Sequence, residues 1–160
     1  MPLISIVVPC YNEQESLPIF LKELDGVVHA MTQTHPDISF EAVLVDDGSA
    51  DATLTVMKAE SAASHPYTIH WYSFSRNFGK EAALFAGLQH AKGDYVATMD
   101  ADMQDPPSLL PQMYEILQTE DYDNVATRRT TREGEPPIRS FCARICLLYT
   151  SPSPRDGATS

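Results

Sequence analysis

Short apolar runs rich in β-branched residues alternate with helical patterns along most of this chain, and this alternation strongly limits how it can fold. Strands and helices in regular alternation form βαβ units around a parallel sheet. We therefore expect an α/β protein that binds ligands beyond the carboxyl ends of its strands. The predicted strands cover residues 3–8, 41–45, 68–74, 95–99 and 124–127, and the predicted helices cover 17–31, 51–63, 80–91 and 108–119.

Composition and charge narrow the class of protein. The chain has 160 residues and a net charge of −11, which suits one globular domain and provides no basic stripe for nucleic acid. Cys10, Cys142 and Cys146 lack disulfide or zinc spacing and are expected to be free thiols of a reducing cytosol. No apolar stretch approaches the roughly 18 residues of a membrane span. We expect this chain by itself to be cytoplasmic and soluble.

Polar residues follow each of the first four predicted strands directly. The segments are Pro9-Cys10-Tyr11-Asn12-Glu13, Asp46-Asp47-Gly48-Ser49, Ser75-Arg76-Asn77 and Asp100-Ala101-Asp102. Because the carboxyl ends of parallel strands meet at one edge of a sheet, we expect these segments to form one site. Asn12, with Glu15 three residues later, is also predicted to be a capping box for the first helix.

Asp100 and Asp102 are candidate ligands of a divalent cation. Residues two apart in an extended chain share a face, so both carboxylates can point beyond the strand. Mg²⁺ or Mn²⁺ on a nucleotide is often held by one or two carboxylates together with phosphate oxygens. An EF-hand is excluded because Asp105 and Pro111 stand where its Gly and Glu belong. The alternative is a solvated acidic turn that caps the next helix.

Two common nucleotide motifs are missing. No Gly-x-Gly-x-x-Gly follows the first strand, so a dinucleotide-binding fingerprint is absent. Gly79-Lys80 is suggestive of a P-loop, but Phe74 and Glu81 replace the residues that the motif requires. A nucleotide, if one binds, must be held differently.

Four segments in order strongly resemble the family 2 glycosyltransferases of GT-A fold, in particular bacterial polyprenyl-phosphate (bactoprenol) glucosyltransferases and dolichol-phosphate mannose synthase. The resemblance covers about residues 3–146. It implies a Rossmann-like three-layer α/β/α domain with a mostly parallel central sheet. The segments are Val7–Glu13, Val45–Ser49, Ser75–Lys80 and Met99–Pro107.

The resemblance implies roles for residues of the first two segments. Pro9, Tyr11 and Glu13 match a loop that lines the base and ribose of the nucleotide in relatives. Asp46 or Asp47 matches the acid that hydrogen-bonds the base. A tight turn in which Ser49 caps a helix is the alternative for this second segment.

For the remaining segments the resemblance implies phosphate and metal contacts. Asp100 and Asp102, with Ala101 between them, match the metal-binding and donor-binding acids, and Gln104 completes the metal site in relatives. Arg76 and Lys80 are candidate phosphate contacts, although a surface salt bridge is equally compatible. Candidates for the donor diphosphate or lipid phosphate follow the fifth strand, with a solvated loop as the alternative; they are Arg128, Arg129 and Arg132.

The expected reaction is inverting, Mg²⁺- or Mn²⁺-dependent transfer of a hexose, glucose in the first instance, from a UDP-sugar to a polyprenyl phosphate. The full-length protein is expected at the cytoplasmic face of the bacterial inner membrane. It would contact the membrane through helices beyond this sequence and could form a homo-oligomer. Asp100, Asp102 and Arg128 are the residues assigned to catalysis, and a catalytic acid or base is expected beyond residue 146.

The resemblance stops at about Cys146. Residues 1–146 are therefore assigned to an incomplete glycosyltransferase domain, and the Ser/Pro-rich residues 147–160 to a disordered, non-native tail. Three other functions are the alternatives. A sugar-phosphate nucleotidyltransferase would carry a Gly-rich basic loop in place of Tyr11-Asn12-Glu13. A nucleotide-binding module without turnover also fits, whereas a structural module without ligand leaves the polar strand ends unexplained.

Overall fold

A computed structural model describes residues 1–104, 106–120, 122–126 and the backbone of 146–149. Its regular elements alternate as the sequence predicts, from the N-terminus to residue 126. The strands are β1 (Leu3–Cys10), β2 (Ser39–Asp46), β3 (Thr68–Ser73), β4 (Tyr95–Thr98), β5 (Asn124–Ala126) and β6 (Cys146–Tyr149). The helices are α1 (Ser16–Thr34), α2 (Thr53–Ala62), α3 (Lys80–His90) and α4 (Leu110–Thr119), the last preceded by a 3-10 turn over Pro107–Leu109.

The strands form one sheet in the order β3-β2-β1-β4-β6-β5. β1 pairs in parallel with β2 and β4, and β2 pairs in parallel with β3. β6 runs antiparallel between β4 and β5. The prediction of a mostly parallel central sheet is confirmed, and the carboxyl ends of β1, β2 and β4 lie side by side.

Side chains of the central strands pack on both faces of the sheet. On one face, Ile4 and Ile6 of β1 join a large core with α1, α2 and α4, whose buried members include Phe20. On the opposite face, Val7 and other valines pack against α3 in a smaller cluster. Burial on both faces explains why the central strands are near-continuous apolar runs. The predicted three-layer α/β/α architecture is confirmed.

Helix α3 packs very close to strand β1 at Gly87. A Cβ built on Gly87 would lie 2.3 Å from Val7 Cγ1, so a larger residue would push the helix away. Gly87 thus sets the spacing between α3 and β1, and this spacing places the first residue of α3, Lys80, beside the strand ends.

Two sequence predictions differ from the structure. The capping box is wrong, because α1 begins at Ser16 and its cap position, Glu15, makes no side-chain capping bond. The segment predicted to be disordered begins at 147, yet 147–149 form part of β6; residues 150–160 lie outside the described residues. Among the helices that the structure describes, none combines the length and apolar character of a membrane span.

Candidate donor-binding site

A pocket of about 200 Å³ opens at the carboxyl ends of β1, β2 and β4, next to the first turn of α3. This is the edge of the sheet at which ligands of open α/β folds bind. The residues that line it come from four separate chain segments. They are Pro9, Cys10, Tyr11, Glu13, Asp47, Asn77, Gly79, Lys80, Asp100, Ala101 and Asp102.

Most of the residues chosen from the sequence meet in this pocket. Three others, Asp46, Arg76 and Gln104, are not on its wall. Arg76 instead lies over the ring of Phe78, 4.6 Å from its centroid. The candidates that fall outside the described residues are Arg128, Arg129 and Arg132. The chosen residues on the wall are Pro9, Tyr11, Glu13, Asp47, Lys80, Asp100, Ala101 and Asp102.

Asp47 holds the loop that leads into α3. Its side chain is buried, with the residue only 3% exposed, and it accepts hydrogen bonds from the backbone N–H groups of Phe78 (2.7 Å) and Gly79 (2.9 Å). A carboxylate has about four acceptor positions, so these two bonds leave capacity for a ligand. Asp47 can therefore fix the loop and still face the pocket.

Asp46, the other candidate of this segment, does not line the pocket and makes structural hydrogen bonds instead. Its carboxylate accepts from the Ser49 N–H (3.0 Å) and from the Ser73 hydroxyl (2.8 Å), which stabilises the turn after β2 and ties it to β3. Ser49 does not cap α2; its hydroxyl accepts from the Asn12 N–H at 2.9 Å. The alternative of a structural turn applies to Asp46, while Asp47 lines the pocket.

The loop after β2 also packs tightly against the loop after β3. Gly48 has a φ of +65°, and a Cβ at this position would lie 2.3 Å from the carbonyl carbon of Arg76. Only glycine meets both requirements without strain. Gly48 therefore sets the distance between the pocket loops that follow β2 and β3.

Asn12 joins the first two pocket loops. It has a φ of +57°, and its side-chain oxygen accepts from the Ala50 N–H at 2.9 Å. The neighbouring Tyr11 is 48% exposed and lines the pocket. The loop after β1 is thus held by loop-to-loop bonds, and these replace the predicted capping box.

The two carboxylates predicted to bind metal both lie on the pocket wall. Asp100 accepts from the ammonium of Lys80, with Nζ 2.6 Å from Oδ2. Asp102 accepts from the Gln104 N–H at 3.0 Å, which closes a tight turn after β4. The sequence left two roles open for Lys80, a phosphate contact and a salt bridge. Lys80 forms a salt bridge, and its partner is a predicted metal ligand.

The donor set fits a cation that is shared with a ligand. Among the described residues no group of three or more His, Cys, Asp or Glu side chains could hold a metal by itself. One or two carboxylates are nevertheless what Mg²⁺ commonly takes from a protein when phosphate oxygens complete its shell. Asp100 already pairs with the Lys80 ammonium, so a metal ion at this carboxylate would have to displace that ammonium. Gln104 is not on the pocket wall, and its metal role stays a prediction.

Three wall residues, Cys10, Asn77 and Gly79, had not been chosen as site residues. Each lies in a segment that directly follows a strand, and this position is the sequence feature that could have identified them as site residues. Cys10 is buried; burial first, then the charges of Glu13 and two aspartates, raise its pKa well above the usual thiol range. The Cys10 thiol is therefore a packing group and not a nucleophile.

Comparison with known proteins identifies the family of the chain. The pattern of the family described as "Glycosyl transferase family 2" matches residues 5–154. Bactoprenol glucosyl transferase of Shigella phage SfV is 43% identical over 136 residues, which are 85% of this chain and 42% of that protein. Undecaprenyl-phosphate 4-deoxy-4-formamido-L-arabinose transferase of Sodalis glossinidius is 42% identical over 132 residues, 81% of this chain and 38% of that protein.

Solved structures share the fold. S. aureus TarS 1–349 in complex with UDP-GlcNAc superposes with a TM-score of 0.64 at 22% identity, covering 86% of this chain and 37% of TarS. Mannosyltransferase PcManGT from Pyrobaculum calidifontis, in complex with GDP-Man and Mn²⁺, gives 0.62 at 23% identity, covering 80% and 36%. This chain spans about two fifths of the length of its curated relatives. By sequence pattern, relatives and fold, it belongs to glycosyl transferase family 2.

Proposed function

We propose that this chain forms the donor-binding part of a metal-dependent, inverting glycosyltransferase that moves glucose from UDP-glucose to a polyprenyl phosphate. The observation that carries the proposal is the convergence of Asp100, Asp102 and Lys80 on one pocket at the carboxyl edge of the sheet. Two relatives support the acceptor, because they are named for transfer to bactoprenol and to undecaprenyl phosphate. One of them is named as a glucosyl transferase.

Different parts of the pocket wall suit a base and a diphosphate. Tyr11 and Pro9 are the candidate contacts for the base, and Asp47 retains acceptor capacity for an N–H of uracil. Lys80 lines the pocket and contacts Asp100, and in this position its ammonium can pair with a phosphate oxygen. We infer that the base lies near the loop after β1 and the diphosphate near β4.

The chemistry that follows is a displacement at the anomeric carbon. An anionic phosphate oxygen of the acceptor forms the new bond to the sugar, and the bond from the sugar to UDP breaks, so the configuration inverts. A divalent cation on Asp100 and Asp102 would offset negative charge on the departing UDP. The acceptor oxygen is already ionised, so the protein contributes mainly by orienting the two substrates.

We infer that the complete protein acts at the cytoplasmic face of the bacterial inner membrane, because its proposed acceptor is a membrane lipid. Membrane contact and assembly into a homo-oligomer belong to the proposal for the complete protein. Arg128, Arg129 and Arg132 remain candidates for the lipid phosphate or donor diphosphate.

The test uses the purified full-length protein with UDP-glucose and polyprenyl phosphate in detergent. We expect lipid-linked glucose of inverted anomeric configuration, its loss in excess EDTA, and its recovery with Mn²⁺. D102N should lose transfer, whereas D37N, which alters an exposed acid in the turn before β2, should keep it. Full activity in excess EDTA would contradict the metal assignment.

Other products would select the other functions. Release of pyrophosphate instead of UDP would indicate a nucleotidyltransferase. Binding of UDP and Mn²⁺ without transfer or hydrolysis by the full-length protein would indicate a nucleotide-binding module.

A further inference from the structure

The ion pair between Lys80 and Asp100 lies inside the pocket. Lys80 Nζ is 2.6 Å from Asp100 Oδ2, the Lys80 side chain is 64% exposed, and that of Asp100 is 25% exposed. Both residues line the pocket. The pair is accessible to solvent, so an incoming ligand can reach and separate it.

Lys80 stands where helix electrostatics disfavour a lysine. It is the first residue of α3, and the N-terminus of a helix carries partial positive charge. The preceding Gly79 has a φ of +99°, and Asp47 binds its N–H, so the surrounding loop holds Lys80 in place. The ion pair with Asp100, and not the helix dipole, therefore accounts for the position of the ammonium.

The charges of the pocket wall explain what that ammonium does before a donor arrives. Four carboxylates line the pocket, and among the described lining residues Lys80 is the one cation. An ammonium that contacts Asp100 occupies one of the oxygens a metal ion would use, and it repels any cation brought to the same carboxylate. Lys80 and a metal ion therefore compete for Asp100.

We propose that Lys80 neutralises Asp100 in the donor-free protein and gives it up to the metal ion when a nucleoside diphosphate binds, the ammonium then moving onto the diphosphate. The inference rests on the proposed donor site. The long, flexible lysine stem allows the ammonium to shift without movement of the backbone. Metal alone then binds weakly, because it must displace Lys80 without a phosphate to receive it.

A cooperative binding scheme follows from this exchange. A diphosphate that withdraws Lys80 from Asp100 raises the affinity for the metal, and by linkage the metal raises the affinity for the diphosphate by the same factor. Lys80 is thus a positioning residue that couples the two ligands.

The test measures Mn²⁺ binding by electron paramagnetic resonance of the free ion, with and without UDP, on the purified 160-residue chain. K80Q removes the ammonium, and K92Q is the matched control, since Lys92 is exposed and not on the pocket wall. We expect K80Q to bind Mn²⁺ alone about fivefold more tightly than K92Q, the factor that a strong exposed ion pair is worth. We also expect UDP to raise Mn²⁺ affinity less in K80Q than in K92Q.

The same substitution in a D100N variant distinguishes release of Asp100 from a change in folding as the cause of altered Mn²⁺ affinity. In D100N the substitution K80Q should leave Mn²⁺ binding unchanged, because no charged partner remains to be released. Equal Mn²⁺ affinities of K80Q and K92Q, or no binding by K80Q at millimolar Mn²⁺, would overturn the inference. If UDP fails to raise Mn²⁺ affinity in the wild type, the proposed donor site and the transfer of Lys80 to the diphosphate are both wrong. The comparison of K80Q with K92Q on Mn²⁺ alone then still shows whether Lys80 and the metal ion compete for Asp100.

Discussion

Replacement of Gly48 by alanine should destabilise the protein and disturb the pocket. The backbone at Gly48 has a φ of +65°, and an added Cβ would lie 2.3 Å from the carbonyl carbon and 2.6 Å from the next amide nitrogen of the loop after β3. The left-handed conformation costs a non-glycine residue about 1–2 kcal/mol. Overpacking against backbone that must shift adds about 1–3 kcal/mol. We therefore expect G48A to lose about 2–5 kcal/mol of unfolding free energy.

The assay is urea denaturation followed by circular dichroism. With a slope of about 2 kcal/mol per molar urea, the midpoint of G48A should fall by about 1–2.5 M. G26A is the control, because Gly26 lies within α1 and an added Cβ would meet no atom within 4 Å beyond its chain neighbours and the backbone of its own helix. G26A should gain about 0.5–1 kcal/mol, since alanine favours the helix interior. Equal midpoints for G48A and wild type would refute the argument from close loop packing.

Three further predictions address single groups. D47N replaces a carboxylate oxygen that accepts a backbone N–H by an NH₂ donor. Its free energy of unfolding, measured by urea denaturation, should fall by about 1.5–3 kcal/mol. The control D37N should change this free energy by less than about 0.5 kcal/mol. Burial opposes ionisation of Asp51, but hydrogen bonds from Thr53 and Gln14 outweigh it and lower the pKa of Asp51 from 3.8. The ionised Asp51 should therefore stabilise the protein above pH 3.8, and this stabilisation should disappear as the pH falls through the lowered pKa. The urea midpoints of wild type and D51A, measured at each pH, would reveal the difference. The Cys10 thiol, with its raised pKa, should resist iodoacetamide at neutral pH in the folded protein and react in urea, as peptide mass spectrometry would show; rapid modification of the folded protein would contradict its burial.

The fold was predictable because its central strands are buried on both faces. Such strands must be continuously apolar, so 3–8 and 41–45 stood out from the polar loops around them. The same logic located the pocket, since polar residues directly after buried strands have no place in the core. Strand β6 was not predicted, because its pairing is antiparallel and with distant residues, and a four-residue run indicates no partner.

The contacts that organise the pocket could not be read from the sequence. Asn12 resembled a helix cap by local spacing, yet its partners, Ser49 and Ala50, come from the loop after β2. Lys80 meets Asp100 although 20 residues separate them in the chain, and α3 packs closely on the sheet at Gly87. Local patterns identify which residues are polar at a strand end, but long-range packing decides which of them contact each other.

The central claim is that the carboxylates after β4 hold a metal ion on a nucleoside diphosphate. Isothermal titration of UDP into the wild-type chain, with Mn²⁺ and then with excess EDTA, tests it most directly. We expect UDP to bind in the presence of Mn²⁺, and we expect this binding to be lost in EDTA and in D102N but retained in D37N. Unchanged UDP affinity in EDTA, or in D102N, would contradict it.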